Sequence, residues 1–203
     1  MEFWNSLLTE ESWKILQELN KKYNFILIGG WAVYLWTKNQ KSKDIDIVVD
    51  ILELQKLKQE HLIKNDRLKK YEIKRGEIDI NIYVSHFSKL AIPAGDIKKY
   101  ASKVEGFNVT IPELLLILKQ RAFQEREYSV KGEKDKLDIL SILFFTEFDF
   151  KKYFMIVKSY KLESYVRSLI RIISTFQDYA RFSFILRELK LKKKFIIDEL
   201  KKV

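Results

Sequence analysis

The sequence has no cysteine and only two histidines, His61 and His86. The lack of cysteine excludes disulfides, cysteine-ligated zinc sites and thiol nucleophiles. Two histidines alone also exclude a zinc site of the HExxH type. No apolar run approaches the ~18 residues that a membrane-spanning helix needs, and the first residues, MEFWNSLLTEE, do not have the pattern of a signal peptide. We therefore expect a cytoplasmic protein without a membrane partner.

Basic residues are concentrated near the C-terminus. Residues 1–150 contain 24 lysines and arginines against 23 acidic residues, whereas residues 151–203 contain 14 against 5. A lysine-rich solvated surface of the kind found in thermophilic proteins would also be rich in glutamate, and this segment is not. A basic face that attracts polyanions explains the imbalance better.

The hydrophobic pattern predicts an α+β protein: a mixed core over residues 1–111, then an all-helical region with a basic tail over residues 112–203. The core pattern starts with a helix up to about residue 23, a strand at 25–29, a helix at 31–38, a strand at 44–50 and a helix at 51–64. Two hairpins at 68–84 and 98–111 complete the core. We find no internal repeat and no low-complexity linker.

A pair of glycines, Gly29 and Gly30, separates a predicted strand from a predicted helix in FILIGGWAVYLW. Glycines at such a junction let a phosphate approach the backbone, and the helix start offers unpaired N–H donors. The spacing matches neither a Rossmann nor a P-loop motif. By itself the signal is weak, because a glycine pair at a turn is usually only a turn.

Two aspartates, Asp44 and Asp46, lie one residue apart at the start of the strand in SKDIDIVVD. Side chains two residues apart share a face of a strand, so these carboxylates either face water or hold a cation together. Oxygen ligands of this kind suit Mg²⁺ or Mn²⁺. Ser42 could bind a phosphate oxygen beside Lys41 and Lys43, or all three residues could belong to a polar loop.

A third acidic position is predicted on the strand GEIDINIYV. The period of two places Glu77, Asp79, Asn81 and Tyr83 on one face and the aliphatic residues on the other. If this strand lies beside DIDIVVD, Asp79 can reach the same metal. Glu77 is the alternative, although it is next to the turn.

The order of these motifs resembles that of the nucleotidyltransferase superfamily with the DNA-polymerase-β-like fold. GGWAVYLW followed by SKDIDIVVD looks most like the AbiEii-type nucleotidyltransferases, some of which are toxins of toxin–antitoxin pairs. IPELLLILKQRAF with Lys119, followed by KDKLD with Lys134, Asp135 and Asp138, is similar to a downstream stretch of that family. The resemblance covers about residues 25–145.

The resemblance implies a transfer of NMP from an NTP to a hydroxyl group. Asp44 and Asp46 would bind two divalent ions, Mg²⁺ (or Mn²⁺), and Asp79 would be a further metal ligand that helps one ion draw a proton from the attacking hydroxyl. Gly29, Gly30, Ser42 and Lys43 would contact the nucleotide phosphates. Lys119 would offset triphosphate charge, and Asp135 or Asp138 would orient it; alternatively, these two aspartates pair with Lys134 or Lys136 on a helix surface. We expect RNA, such as the 3′ end of tRNA, to be the acceptor, and an antitoxin is a possible partner.

The sequence departs from related patterns in two ways. It lacks the GS-x-x-R-G motif of minimal nucleotidyltransferase antitoxins. In addition, no histidine follows His86, which argues against a fused HEPN ribonuclease. A small molecule or a protein remains an alternative acceptor. A catalytically silent nucleotide- or RNA-binding module is the alternative from a different class.

Several aromatic and apolar residues have two interpretations. Residues 165–186 could form a binding groove or an amphipathic membrane helix, but core packing is the commoner outcome for such a pattern. For the same reason we expect Trp31 and Trp36 to be core residues and not platforms for base stacking.

Overall fold

The computed structural model describes residues 6–202. The helices in this range are α1 (Ser6–Lys22), α2 (Gly29–Thr37), α3 (Ile51–Leu57), α4 (Pro112–Arg126), α5 (Val130–Phe145), α6 (Phe150–Ser159), α7 (Ser164–Thr175) and α8 (Leu186–Leu200). The strands are β1 (Ile26–Ile28), β2 (Ile45–Val49), β3 (Ile63–Asn65), β4 (Lys70–Arg75), β5 (Ile78–Val84), β6 (Ala101–Val104) and β7 (Phe107–Thr110). Both predicted hairpins are confirmed, as β4–β5 and β6–β7.

The seven strands form one mixed sheet in the order β3-β4-β5-β2-β1-β7-β6. Strand β2 lies at the centre, parallel to β5 and antiparallel to β1. Its aliphatic residues Ile45, Ile47, Val48 and Val49 are all buried, as expected of a central strand covered on both faces. This position anchors the SKDIDIVVD motif in the core.

The predicted helix over residues 51–64 is shorter than expected. α3 ends at Leu57 and continues as a single 3-10 turn, Lys58–Glu60. His61 then adopts a left-handed conformation, with φ of 54°, which an α-helix cannot accommodate. The following residues form edge strand β3, which is antiparallel to β4.

The helical region packs directly on the core. α4 and α5 contact each other and α2, and a buried polar contact joins α4 to the next helices. Gln120 donates a hydrogen bond to the Tyr165 carbonyl (2.8 Å) and accepts one from the Tyr153 hydroxyl (3.0 Å). Because a buried amide without partners would be costly, this contact specifies how α6 and α7 dock on α4.

Trp31 and Trp36 pack in or against the core, as does most of the apolar surface of residues 165–176. Trp31 is fully buried and donates to the Ser12 hydroxyl, while Trp36 donates to the Thr110 carbonyl, both at 2.9 Å. α7 buries Tyr165, Leu169, Ile172 and Ile173 against the core. It stops at Thr175, so residues 165–186 are not one continuous helix.

The structure confirms the α+β class, with a mixed sheet, flanking helices and a helical C-terminal region. Among residues 6–202, no helix combines the length and apolar character needed to cross a bilayer.

Candidate functional site

A cavity of about 290 Å³ opens where β1 ends and β2 begins. The sheet and the start of α2 form one wall, and α4 and α5 form the other. Eight residues that the family resemblance singles out line this cavity: Gly29, Gly30, Ser42, Asp44, Asp46, Lys119, Lys134 and Asp135. Three others, Lys43, Asp79 and Asp138, do not line it.

The diglycine is required at this junction by two close approaches. Gly29 has φ of +71°, and a Cβ atom there would lie 2.2 Å from Oδ2 of Asp46. A Cβ atom on Gly30 would lie 2.5 Å from Oγ of Ser42 and 3.0 Å from Nζ of Lys134. Only glycine therefore lets the first turn of α2 lie against these three side chains.

The start of α2 has the properties of an anion-binding element. Ile28 is the residue before the first turn, and no side chain caps the helix. The backbone N–H groups of this turn lack helical partners, and the helix dipole is positive at this end. A phosphate in the cavity would satisfy these donors.

Asp46 is held by two neutral donors from β5. Its Oδ1 atom accepts hydrogen bonds from Nδ2 of Asn81 (3.0 Å) and from the Tyr83 hydroxyl (3.4 Å). Burial raises the pKa of the Asp46 carboxyl, although the charge of Lys119 and the Asn81 hydrogen bond act in the opposite direction. The ionised carboxylate is therefore costly here, and a bound cation would stabilise it.

Asp44 is partly buried and has a basic neighbour. Its Oδ2 atom is 3.3 Å from Nζ of Lys131, a half-exposed lysine at the start of α5. The two carboxylates line the same cavity, as their spacing on one strand predicts.

The third predicted carboxylate does not join this pair. The register places Asn81 beside Asp46, and Asp79 is paired with Lys74 across the β4–β5 hairpin, with the charged atoms 3.8 Å apart. The Asp79 side chain is 44% exposed. Glu77, the alternative, is more exposed and lies 3.9 Å from Lys43. Within residues 6–202, no three acidic, histidine or cysteine side chains are grouped so as to hold a metal.

A buried ionic cluster forms the wall opposite the diglycine. Nζ of Lys119 lies 2.7 Å from Asp138 and 3.1 Å from Asp135, and both carboxylates are almost completely buried. Lys134 lies 3.3 Å from the same Asp138 oxygen, and Arg126 lies 2.6 Å from Asp135. Asp138 contacts Lys119 without lining the cavity. The expected pairing of Asp138 with Lys134 is present, but both aspartates are buried, so this pair does not lie on a helix surface.

The cluster shifts the titration of its members in different directions. Burial opposes the charge of Lys119, but Asp138 and Asp135 outweigh it and raise the pKa of that lysine. Burial lowers the pKa of Lys134, and the neighbouring Lys119 charge adds to this effect. Burial would raise the pKa of Asp135, but Lys119 and Arg126 lower it overall.

Sequence reasoning gave no role in the site to Asn81, Tyr83 or Arg126, and it considered Lys134 only as a surface partner of the two aspartates. The alternation of β5 puts Asn81 and Tyr83 on the same face as Asp79, so the pattern contained this signal, but the register did not follow from it. Lys134 precedes Asp138 by four residues, a spacing that pairs side chains on a helix. Nothing in the sequence placed Lys134 against the diglycine turn.

Basic side chains outnumber acidic ones seven to four around the cavity. All of these lining residues lie between Ile28 and Asp135, so none comes from the basic segment 151–203. In that segment, Lys193 donates to the Ser174 and Phe176 carbonyls at the end of α7, and Lys192 donates to the Phe144 carbonyl. Part of the basic charge therefore caps helix ends.

The chain is similar in structure to three solved proteins. JHP933 from Helicobacter pylori superposes with a TM-score of 0.53 at 17% identity, covering 98% of this chain and 95% of that one. A protein from H. pylori described as a candidate nucleotidyltransferase has a TM-score of 0.48 at 17% identity, over 97% and 96%. An antigenic nucleotidyltransferase-like protein from Paracoccidioides brasiliensis has 0.46 at 16%, over 92% of each chain.

The likeness to JHP933 extends over almost the whole of both chains and shows a shared fold. The other two similarities are weaker. No protein-family model matches the sequence, and no curated protein matches it.

Proposed function

We propose that this protein is a nucleotidyltransferase that transfers NMP from an NTP to a hydroxyl acceptor. One observation carries the proposal: the diglycine start of α2, the Asp44–Asp46 pair and a set of buried cations line a single cavity. An open helix start and cations suit a polyphosphate, and paired carboxylates suit the divalent ion that accompanies it.

The described carboxylates fit one divalent ion. Mg²⁺ is commonly held by one or two carboxylates, with substrate phosphates and waters completing its shell. Asp44 and Asp46 meet this requirement, and the burial of Asp46 beside neutral donors favours a cation. Bound there, Mg²⁺ or Mn²⁺ would offset charge on the phosphate oxygens. The position of Asp79 gives no support to its predicted role as a ligand.

The chain's own residues would bind and orient the substrate. Gly29 and Gly30 let the nucleotide phosphates approach the first N–H groups of α2, and Ser42 offers a hydroxyl beside them. The acceptor oxygen would attack the α-phosphorus while the bond from that phosphorus to the β-phosphate bridging oxygen breaks. Pyrophosphate would leave, and the acceptor proton would pass to solvent. Cations held in place beforehand would stabilise the charge that develops.

We propose RNA, and specifically the 3′ end of tRNA, as the acceptor. The excess of basic residues in segment 151–203 supports a polyanion as the acceptor. Several contacts to phosphates would make RNA affinity fall about tenfold or more between 50 and 200 mM salt. An RNA affinity that does not change with salt would contradict a role for segment 151–203 in RNA binding.

The resemblance to AbiEii-type proteins adds the proposal of a toxin with a protein antitoxin. Expression from a tightly controlled promoter tests it directly. Growth should stop with the parent protein and continue with Asp46→Ala; growth with both proteins would contradict a toxin role.

A second candidate, a catalytically silent nucleotide-binding module, is favoured by one observation. Asp79 lies outside the cavity, so a third carboxylate does not complete the metal site. A silent module would still bind NTP, and the transfer assay below separates the two candidates.

The test is a labelling assay with each α-labelled NTP, Mg²⁺ or Mn²⁺, and total tRNA. We expect label in RNA with the parent protein and none with Asp44→Ala or Asp46→Ala. Asp79→Asn is the matched control because it removes a carboxylate from the same sheet but outside the cavity, and it should retain transfer. Transfer that persists in both cavity variants would contradict the proposed site. NTP binding without transfer in the parent would favour the silent module.

A further inference from the structure

Lys119 and Lys134 both line the cavity, but their surroundings differ. Lys119 lies between two buried carboxylates, at 2.7 Å from Asp138 and 3.1 Å from Asp135. Lys134 has one carboxylate, Asp138, at 3.3 Å, and shares the oxygen that Lys119 contacts at shorter range. The charge of Lys119 is therefore neutralised within the protein, and that of Lys134 is only partly neutralised.

Counted over its direct ion pairs, the cluster has three cations for two carboxylates, and Asp46 lies across the cavity from it. Lys119, Lys134 and Arg126 share the two carboxylates Asp135 and Asp138. Arg126 is partly exposed, whereas Lys134 is 93% buried, so water cannot fully solvate its ammonium group. A buried charge without a full counterion is costly, and an anion bound in the cavity would remove that cost.

Lys134 lies where such an anion would bind. Its Nζ atom is 3.0 Å from the position of a Cβ atom on Gly30, and Oγ of Ser42 is 2.5 Å from the same point. The ammonium group, the hydroxyl and the uncapped first turn of α2 therefore surround one small region. Three kinds of donor directed at one place form a site for a phosphate group.

We propose that Lys134 binds the terminal phosphates of the NTP, together with Ser42 and the first turn of α2. Lys119 then acts as a positioning residue that holds Asp138, and through it Lys134, in place. This proposal deepens the proposed function and rests on it for the identity of the ligand. The class of ligand is a polyphosphate, and its β- and γ-phosphates form the pyrophosphate that leaves.

The test measures binding of inorganic tripolyphosphate, which has the phosphates of an NTP without the base or sugar. Titration calorimetry compares the parent with Lys134→Met, Lys134→Arg and Ser42→Ala. Methionine keeps most of the length of lysine and removes its charge. The matched control is Lys136→Met, because Lys136 lies on the same helix, pairs with Glu133 and does not line the cavity.

We expect Lys134→Met to weaken tripolyphosphate binding at least tenfold, with the folded state and Tm retained. Lys134→Arg should recover most of the affinity, Ser42→Ala should lose several-fold, and Lys136→Met should match the parent. Orthophosphate should bind more weakly than tripolyphosphate to the parent, and the variants at Lys134 and Ser42 should reduce that difference.

Two results would overturn the inference. One is a parent protein that does not bind tripolyphosphate; the other is a folded Lys134→Met variant that binds it as tightly as the parent. If tripolyphosphate binding depends on Lys134 but the protein transfers no nucleotide, the proposed transfer activity is contradicted. The inference that Lys134 binds phosphate would still be supported.

Discussion

Replacing Lys119 by methionine should destabilise the protein by about 3 kcal/mol. Removing one partner of a buried ion pair costs roughly 3–5 kcal/mol, because the remaining charge stays buried. We expect the lower end of this range, because each carboxylate keeps a second cation: Arg126 at 2.6 Å from Asp135, and Lys134 at 3.3 Å from Asp138. For a protein of this size, a loss of about 3 kcal/mol lowers Tm by roughly 6–12 °C.

Urea and thermal unfolding at pH 7 measure this effect. Lys136→Met on the same helix is the control and should change stability by less than about 0.5 kcal/mol. The double variant Lys119→Met/Asp138→Asn should be more stable than the sum of the single effects implies, with a coupling energy of about 0.5–3 kcal/mol. A Lys119→Met protein as stable as Lys136→Met would refute the view that this lysine neutralises the cluster.

The destabilisation caused by Lys119→Met should depend on pH, in a direction that follows from the pKa shifts of Asp135 and Lys119. The pKa of Asp135 is lowered in the folded protein, so its contribution is present above its unfolded pKa, about 3.9. That contribution is lost as the pH falls through the folded pKa. The pKa of Lys119 is raised, so its contribution is complete below about pH 10.4 and is lost at higher pH. The destabilisation by Lys119→Met should therefore stay constant from about pH 5 to 9 and shrink in stronger acid.

Three further predictions concern the diglycine, the metal position and the aromatic core. Gly29→Ala should cost more stability than Gly76→Ala. Both glycines have positive φ, which costs alanine about 1–2 kcal/mol. Only at Gly29 would the new methyl group also clash with Asp46. Equal losses in the two variants, measured by urea unfolding, would contradict the close approach. Asp46→Asn should raise the stability of the metal-free protein in EDTA by about 0.5–2 kcal/mol, because burial disfavours the ionised carboxylate. Added Mg²⁺ should raise Tm in the parent and not in Asp46→Asn. An equal rise of Tm in both proteins would show that the ion binds elsewhere. Ser12→Ala should cost about 1–3 kcal/mol, since it leaves the buried N–H of Trp31 without an acceptor. An unchanged Tm would show that this N–H finds another partner.

The order of helices and strands could largely be predicted from local patterns. The period of two in DIDIVVD and in the hairpins is a property of adjacent residues, and the structure confirms these strands. The exception is the segment after residue 57, where a left-handed His61 and pairing with β4 replaced the predicted helix. A short leucine- and lysine-rich segment favours helix locally, and the exposed edge of a sheet can override that preference.

The placement of charged residues in the site was less predictable than the strands. Asp44 and Asp46 share a face because they share a strand, so local geometry was sufficient for them. The position of a carboxylate on another strand depends on register, and the register here brought Asn81 to Asp46 and left Asp79 beside Lys74. A shift of two residues would have exchanged them without changing the alternation of the strand.

The sequence by itself determined which chemistry was available: oxygen ligands, lysines and a glycine turn, with no thiol and too few histidines for zinc. These are properties of side chains and do not depend on folding. Only the tertiary structure decided how the charges were matched. The packing of α5 against α2 and α4 places Lys119 between two carboxylates and brings Lys134 to the diglycine turn, because residues far apart in the chain meet only when the helices dock on the sheet.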